Sequence, residues 1–291
     1  MNDDNVDILE PLIRTIVGIG QQIKQAVAHL IYSPLQVATK SSFADLVTNL
    51  DIDVESQLIQ ALEQIKPGAL VVSEETDVPG SKEVFWMVDP MDGTTNIVHG
   101  VPHAAISVAL HENQRPIMGV IYNPFTDVVY HATLGHGAWR RDLQTSDNDV
   151  RLAVSRTHSL SGALIAFGLP YDRKSAPLMF EVASTLFQQC QDLRRNGSAS
   201  LDLVQVAEGI FDGYIELNLK SWDIAAGGLI IEESGGVITT WDGTPPYRSD
   251  RYTSTSVIAS NGRLHADLLK IAQTESNLKN GDATAQISQT A

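Results

Sequence analysis

Trp86-Met87-Val88-Asp89-Pro90-Met91-Asp92-Gly93-Thr94-Thr95-Asn96 decides how this chain is read. The apolar run has the character of a buried strand, and it breaks at Asp-Pro. Proline cannot donate to a ladder, so Asp89 is expected at or just past the strand's end. A second carboxylate, Asp92, follows three residues on, with a backbone carbonyl between the two. Such hard oxygens suit divalent cations. Gly93 lets the backbone turn sharply and approach a ligand closely. If a helix starts here, the N–H groups of Gly93 and Thr94 point at a phosphate. The stretch therefore implies metal-assisted phosphate chemistry. The competing reading is an ordinary Asp-Gly turn; it weakens once the other carboxylates are counted.

Bulk properties set the limits. The chain has 291 residues, 43% of them hydrophobic and 19% charged, as expected of a globular enzyme. No apolar run has the length that spans a bilayer. Met1 to Asp7 carry three aspartates and no basic residue, unlike a signal peptide, so a cytoplasmic location is expected. The net charge of −15 argues against an electrostatic grip on nucleic acid or anionic lipid. It does not argue against small phosphorylated substrates, because bound divalent cations invert the local potential of an acidic cleft. The one cysteine, Cys190, excludes an intramolecular disulfide. It continues the pattern Met179, Val182, Ala183, Leu186, Phe187 and is expected at a buried helix position rather than as a nucleophile.

Apolar spacing of three and four from Ile8 through Leu30 predicts a helix over about 6–32, and a second over about 51–64 that ends at Pro67-Gly68. Strands are expected at 70–72, 84–88, 104–110, 117–122, 128–132, 152–154 and 164–167. From Pro170 onward helices alternate with strands: helices at 178–189, 200–207, 224–234 and 263–272, strands near Leu193 and at 213–217, 237–239 and 256–259. This makes residues 1–275 a single α/β (α+β) domain with a soft inner boundary at 168–170, followed by a disordered polar tail over 276–291.

Further carboxylates sit at the ends of apolar elements: Asp51 after DLVTNL, Glu74 and Glu75 after ALVVS, and Asp223 at the start of an alanine-rich helix. Such ends converge at one sheet edge, where α/β folds place ligands. Each has a plainer reading, Asp223 as a helix cap and Glu74-Glu75 as a solvated loop. Asp51, Asp53 and Glu55 mimic the start of a calcium loop, but Ser56 and Leu62 stand where an EF-hand needs Gly and Glu. Asp242-Gly243-Thr244 repeats the DGT of the main stretch without its strand or Asp-Pro, and is expected to be a loop.

Taken together, D-L-V-T-x-x-D at 45–51, E-E at 74–75, D-P-M-D-G-T-T-N at 89–96 with His99-Gly100, and W-D-I-A-A-G at 222–227 resemble the inositol monophosphatase family of magnesium-dependent, lithium-sensitive phosphatases. With Arg194–Ala199 and Glu216 the resemblance covers roughly residues 6–272. It implies a layered α-β-α-β-α sandwich, usually a homodimer. It also implies two to three Mg²⁺ per site: Glu74, Asp89 and the Met91 carbonyl at the first, Asp89, Asp92 and Asp223 at the second, and Glu74 with water at a weaker third. Thr94 and Asp51 would orient and activate the attacking water, beside the catalytic Glu74. Gly93 and Thr94 would cradle the phosphate, and Asp92, Gly197, Ser198, Ala199 and Glu216 would meet the inositol hydroxyls.

The implied reaction is hydrolysis of a small phosphorylated polyol, inositol 1-phosphate foremost. No cysteine or histidine is placed for a phosphoenzyme, so direct attack by water is favoured; His99 and His103 are read as structural or rim residues. Sister families act on 3′-phosphoadenosine 5′-phosphate, histidinol phosphate or fructose 1,6-bisphosphate. The nucleotide branch tends to carry Lys-Glu after Asp-Gly-Thr, where this chain has Thr95-Asn96. A different class of function, association with transcription machinery, stays open. Phe43 and Ser73 depart from the family's usual proline and glycine beside the site.

Overall fold

The computed structural model describes residues 8–30, 32–76, 83–145, 148–247 and 254–289. Helix α1 (Leu9–His29) leads to the short strands β1 (Val37–Thr39) and β2 (Leu46–Thr48), then α2 (Asn49–Ile65). Next come β3 (Leu70–Ser73), β4 (Val84–Asp92), a short helix α3 (Thr94–Val98), and the strands β5 (Ala105–Glu112), β6 (Arg115–Asn123), β7 (Val128–Thr133), β8 (Ala138–Asp142) and β9 (Asp149–Arg151). The second half runs β10 (Leu164–Phe167), α4 (Ala176–Phe187), β11 (Asp192–Arg194), α5 (Ala199–Ala207), β12 (Gly213–Leu219), α6 (Ser221–Glu233), β13 (Val237–Thr240), β14 (Thr255–Ser260) and α7 (His265–Gln289).

Strands β3 to β9 form one sheet in sequence order, with β3 parallel to β4 and the rest antiparallel. The other sheet has the order β11-β10-β12-β14-β13. Alternation along β4 explains the layering, since successive side chains point to opposite faces. Trp86 and Val88 face α1 and α2, meeting Leu12, Ile16, Leu58 and Leu62. Phe85 and Met87 face α5 and α6, whose far sides cover the second sheet through Tyr214, Val257 and Ala259. That sheet's outer face packs on α4 and α7 through Met179, Leu186 and Leu268. The expected α-β-α-β-α sandwich is present. Helix α6 lies between both sheets, and its small residues make this possible. A Cβ on Gly119 of β6 would stand 2.9 Å from the Ala226 Cα, and one on Gly227 2.7 Å from the Leu203 side chain.

Strand β4 corrects the expectation for Asp89. It does not end there but runs on to Asp92. Asp89 pairs with Ser107 and Asp92 with Ala105, so three steps on β4 match two on β5. The extra residue is a bulge, and a bulge is one of the few strand sites that tolerates Pro90. Partners two apart share a face, so Asp89 and Asp92, three apart in sequence, share one too.

Other differences have local causes. The strand expected at 152–154 lies earlier, as β9; Leu152 is the buried apolar residue that drew the reading forward. Strand β8, AWRRD, was not expected because its arginines hide the alternation. Strands β1 and β2 were not expected; each is three residues long, too short to show an alternating pattern. The change of sheet falls between β9 and β10, before the 168–170 boundary. Helix α7, anchored by the buried Leu268, Ile271 and Ala272, runs on to Gln289, where a disordered tail from 276 was expected; extending a helix already begun is easier than nucleating one. The expected start of α1 at Val6, and residues 290–291 of the tail, fall outside the described residues. Cys190 lies three residues beyond α4 and is half-buried rather than on a buried helix face. The Asp242-Gly243-Thr244 stretch is a turn, with the Thr244 N–H and hydroxyl donating to Asp242. No helix among the described residues is long and apolar enough to cross a membrane.

His111 on β5 generates a test of stability. It is buried and stacks on Phe85 at 4.7 Å between ring centroids. Burial pushes its pKa down to about 4 from 6.5. Between these values the unfolded chain binds a proton that the folded chain refuses, so stability falls as pH drops from 6.5 towards 4. The loss attributable to this residue approaches about 3 kcal/mol at the lower end. His111→Phe keeps the stacked ring and removes the titration. Urea unfolding at pH 7 and pH 4.5 should show a clearly smaller loss for the variant. Equal losses in the two proteins would refute the assignment.

Candidate active site

The two sheets bring their acidic element ends to one pocket. Glu74 lies just past β3, Asp89 and Asp92 share a face through the bulge in β4, and Asp223 stands in the first turn of α6. All four line the pocket, as do Met91, Gly93, Thr94, Gly197, Ser198, Ala199 and Glu216. Asp51 is the one expected site residue outside the lining. It is buried behind Thr94 and accepts from the Thr94 hydroxyl at 2.8 Å.

Local structure explains each placement. Thr48 and Asp51 form a capping box at the start of α2: the Thr48 N–H donates to the Asp51 carboxylate, and the Thr48 side chain accepts from the Asp51 N–H. The cap therefore fixes the carboxylate that receives the Thr94 hydroxyl. Gly93 has φ 105° and begins the α3 turn, and a Cβ there would stand 3.0 Å from the His103 carbonyl oxygen. Only glycine meets both conditions without strain.

Asp92 accepts from the Ser198 hydroxyl at 2.7 Å and from the N–H groups of Ser200 at 2.6 Å and Ala199 at 3.3 Å. It thus joins the first sheet to the N-terminus of α5, whose free N–H groups and dipole favour an anion. Asp223 is equally tied to a helix start, accepting from the Lys220 N–H at 2.7 Å. The plain reading of Asp223 as a cap residue and its place on the pocket are both true. The short α3 was foreseen only as a condition of the phosphate cradle.

The electrostatics are those of a site short of positive charge. Burial first, then the charges of Glu74, Asp92 and Asp223, push the Asp89 carboxyl well above the ordinary range. Burial and then Asp92 and Glu74 do the same to Asp223. Burial raises Glu74 and Asp92 as well, against the hydrogen bonds each receives. Glu216 is pushed up to about 7, chiefly by burial, although Tyr214 donates to it. Asp202 rises to about 8 by burial, with the Asn196 amide donating to it at 2.7 Å.

Lys40 answers part of this charge, contacting Glu74 at 2.6 Å and pairing with Glu75 as well. Burial works against its ammonium, yet the two glutamates more than offset this and hold its pKa above the usual lysine value. Lys40 is not among the residues the sequence singles out for the site. Arg195, within the Arg194–Ala199 stretch, also lines the pocket, as does Tyr171, which carried no signal of its own in the sequence. Asn96, at the end of the opening stretch, ties the two halves together by donating to the carbonyls of His103 at 2.8 Å and Asn196 at 3.0 Å. His99 and His103 stand at the edge of this region; His103 is half-buried, and that burial lowers its pKa.

The donor set fits magnesium in kind. It is all hard oxygen, and four carboxylates whose burial and charges push the Asp89 and Asp223 pKa values up make a place for a cation. Among the described residues no three acidic, His or Cys side chains close into a tight cage. That is compatible with Mg²⁺, which keeps its waters and takes one or two carboxylates plus phosphate oxygens rather than an all-protein cage.

Comparison with known proteins identifies the family. The model of the Inositol monophosphatase family matches residues 4–277. An inositol-1-monophosphatase of Caulobacter vibrioides is 40% identical over 240 residues, 81% of this chain and 90% of the relative. A protein of Pasteurella multocida named Nus factor SuhB is 36% identical over 242 residues, 82% of this chain and 86% of the relative. The extragenic suppressor protein suhB of Bartonella henselae superposes with a TM-score of 0.81 at 30% identity, covering 91% of this chain and 98% of that one. An IMPase/NADP phosphatase solved with Mg²⁺ and phosphate gives a TM-score of 0.74 at 27% identity, covering 90% and 95%. Fold, pocket and sequence agree, and the chain belongs to the inositol monophosphatase family of phosphatases.

Proposed function

We propose that this protein hydrolyses the phosphate monoester of a small polyol, inositol 1-phosphate foremost, with Mg²⁺ held by Glu74, Asp89, the Met91 carbonyl, Asp92 and Asp223. The observation that carries the reading is the meeting of four element-end carboxylates with Gly93 and Thr94 at one pocket. The structural relative that holds Mg²⁺ and phosphate supports it. When bound, Mg²⁺ supplies Lewis acidity that makes water a nucleophile near neutral pH and offsets charge on the leaving oxygen.

The chain's own residues do the rest. Thr94 donates its hydroxyl hydrogen bond to Asp51, which leaves its oxygen lone pairs free to accept from the attacking water. Asp51 is buried and twice tied to Thr48, so it holds that direction. The N–H groups of Gly93 and Thr94 hold phosphate oxygens in line for displacement, a reaction that depends on positioning and charge more than on covalent help. Glu216, Asp92 and the Gly197–Ala199 wall orient the alcohol. The same reading carries lithium sensitivity, a homodimer and a cytoplasmic location. A second reading, association with transcription machinery, is favoured by the name of the Pasteurella relative. It leaves the pocket intact and is tested by pull-down of transcription proteins with the Asp89→Asn variant, which must still bind if the two roles are separate.

Removing metal with a chelator should abolish phosphate release, and Mg²⁺ should restore it. Asp89→Asn takes away a shared negative ligand and should lower turnover by more than about a hundredfold, beyond the cost typical of outer-shell changes. Near-normal turnover of this variant at saturating Mg²⁺ would refute the metal assignment.

Thr94→Ala and Glu216→Gln should separate two roles. The first acts on the transition state and should lower kcat with little change in KM. The second should reorder substrates, because a site built to bond a hydroxyl discriminates strongly when that bond is lost. Both are to be measured on inositol 1-phosphate, glycerol 2-phosphate and 3′-phosphoadenosine 5′-phosphate. A Glu216→Gln variant slowed equally on all three has no part in substrate choice. A Thr94→Ala variant altered only in KM places water activation elsewhere. If the nucleotide is the best substrate of the unaltered protein, the polyol reading gives way to a nucleotide phosphatase.

A further inference from the structure

Glu55 belongs to the Asp51-x-Asp53-x-Glu55 run that failed as a calcium loop, and none of the roles above uses it. It lies one turn beyond Asp51 on α2, so the two carboxylates share a helix face. Its side chain is buried, with the residue only 3% exposed. A buried carboxylate is costly unless its oxygens are hydrogen-bonded. Here all three donors come from one place. One oxygen accepts from the N–H groups of Glu75 at 3.0 Å and Thr76 at 3.1 Å, and the other from the Thr76 hydroxyl at 2.6 Å. These donors directly follow Glu74, just where the β3–β4 ladder stops at Ser73 and Val88.

We propose that Glu55 is the positioning residue for Glu74. By capturing the two N–H groups after Glu74, it fixes the path of the backbone as it leaves β3, and with it the direction of the Glu74 carboxylate. Lys40 holds the same segment from the pocket side through the Glu74 and Glu75 side chains. One face of α2 then sets both parts of the site: Asp51 orients Thr94, and Glu55, four residues on, orients Glu74. The inference rests on the reading of Glu74 as a magnesium ligand.

The test is calorimetric titration of Mg²⁺, without substrate, into the unaltered protein, Glu55→Ala and Glu55→Gln, with amide exchange at residues 75 and 76 measured alongside. Glu55→Ala should weaken Mg²⁺ binding by about tenfold or more, the scale of outer-shell changes at metal sites. It should also release the two amides to exchange. Glu55→Gln keeps an oxygen that accepts from both amides and offers an NH₂ to the Thr76 hydroxyl, so it should restore affinity to within about threefold. Thr76→Val removes the hydroxyl bond to Glu55 while keeping both amide bonds, and serves if Glu55→Ala does not fold; it should give a smaller loss of the same sign. A folded Glu55→Ala with unchanged Mg²⁺ affinity overturns the positioning role, as does Glu55→Gln no better than Glu55→Ala. If the unaltered protein takes up no Mg²⁺, the metal reading of the site fails instead, and the amide exchange still reports whether Glu55 holds the segment.

Discussion

One extra residue in β4 organises this molecule. Without the bulge between Asp89 and Asp92, a separation of three would send the two carboxylates to opposite faces of the sheet. With it, both face the layer of α5 and α6. From there Asp92 reaches the start of α5, and Asp89 stands within the field of Asp223 at the start of α6. The first sheet is thereby bonded to the layer that separates it from the second, at the point where the pocket opens.

The arrangement concentrates negative charge inside the protein, which by itself opposes folding. The structure offsets this with the means available to a chain of net charge −15. Helix starts supply unpaired N–H groups and the positive end of a dipole to Asp51, Asp92 and Asp223. Hydroxyls of Thr48, Thr94 and Ser198 donate to two of these three carboxylates. Lys40 brings a full charge to Glu74 and Glu75. The remaining repulsion shows in the raised pKa values of Asp89 and Asp223, which lack a cationic side chain among their main influences. Local stability is given up for a place that a divalent cation would complete, as expected where function and folding compete.

Much of the architecture was legible along the chain because it rests on periodicity. The stripe of α1, the alternating strands of the first sheet and the helix–strand alternation after Pro170 are one-dimensional patterns, and the elements follow them closely. Failures came where pattern and burial part company. Strand β8 carries arginines at positions half-covered by neighbours, β9 is an exposed edge, and α7 is helical beyond its apolar stripe. The carboxylates of the site were legible for a different reason. An acidic residue that ends an apolar run has no packing explanation, and several of them in one chain invite a common one.

What the sequence determined by itself was therefore the family resemblance, the hard oxygen donors at element ends, a glycine turn beside them, and most of the strands and helices. What only the tertiary structure decided was how those groups face one another. The bulge that aligns Asp89 with Asp92, the capture of the α5 start by Asp92, the Asn96 tie between the two halves, the Lys40 contact with Glu74 and the grip of Glu55 on residues 75 and 76 all join segments distant in sequence. Such contacts depend on register, helix phase, the closeness that Gly119 allows between the first sheet and α6, and the closeness that Gly227 allows between α5 and α6. Those quantities are set when the layers pack, and no single segment encodes them.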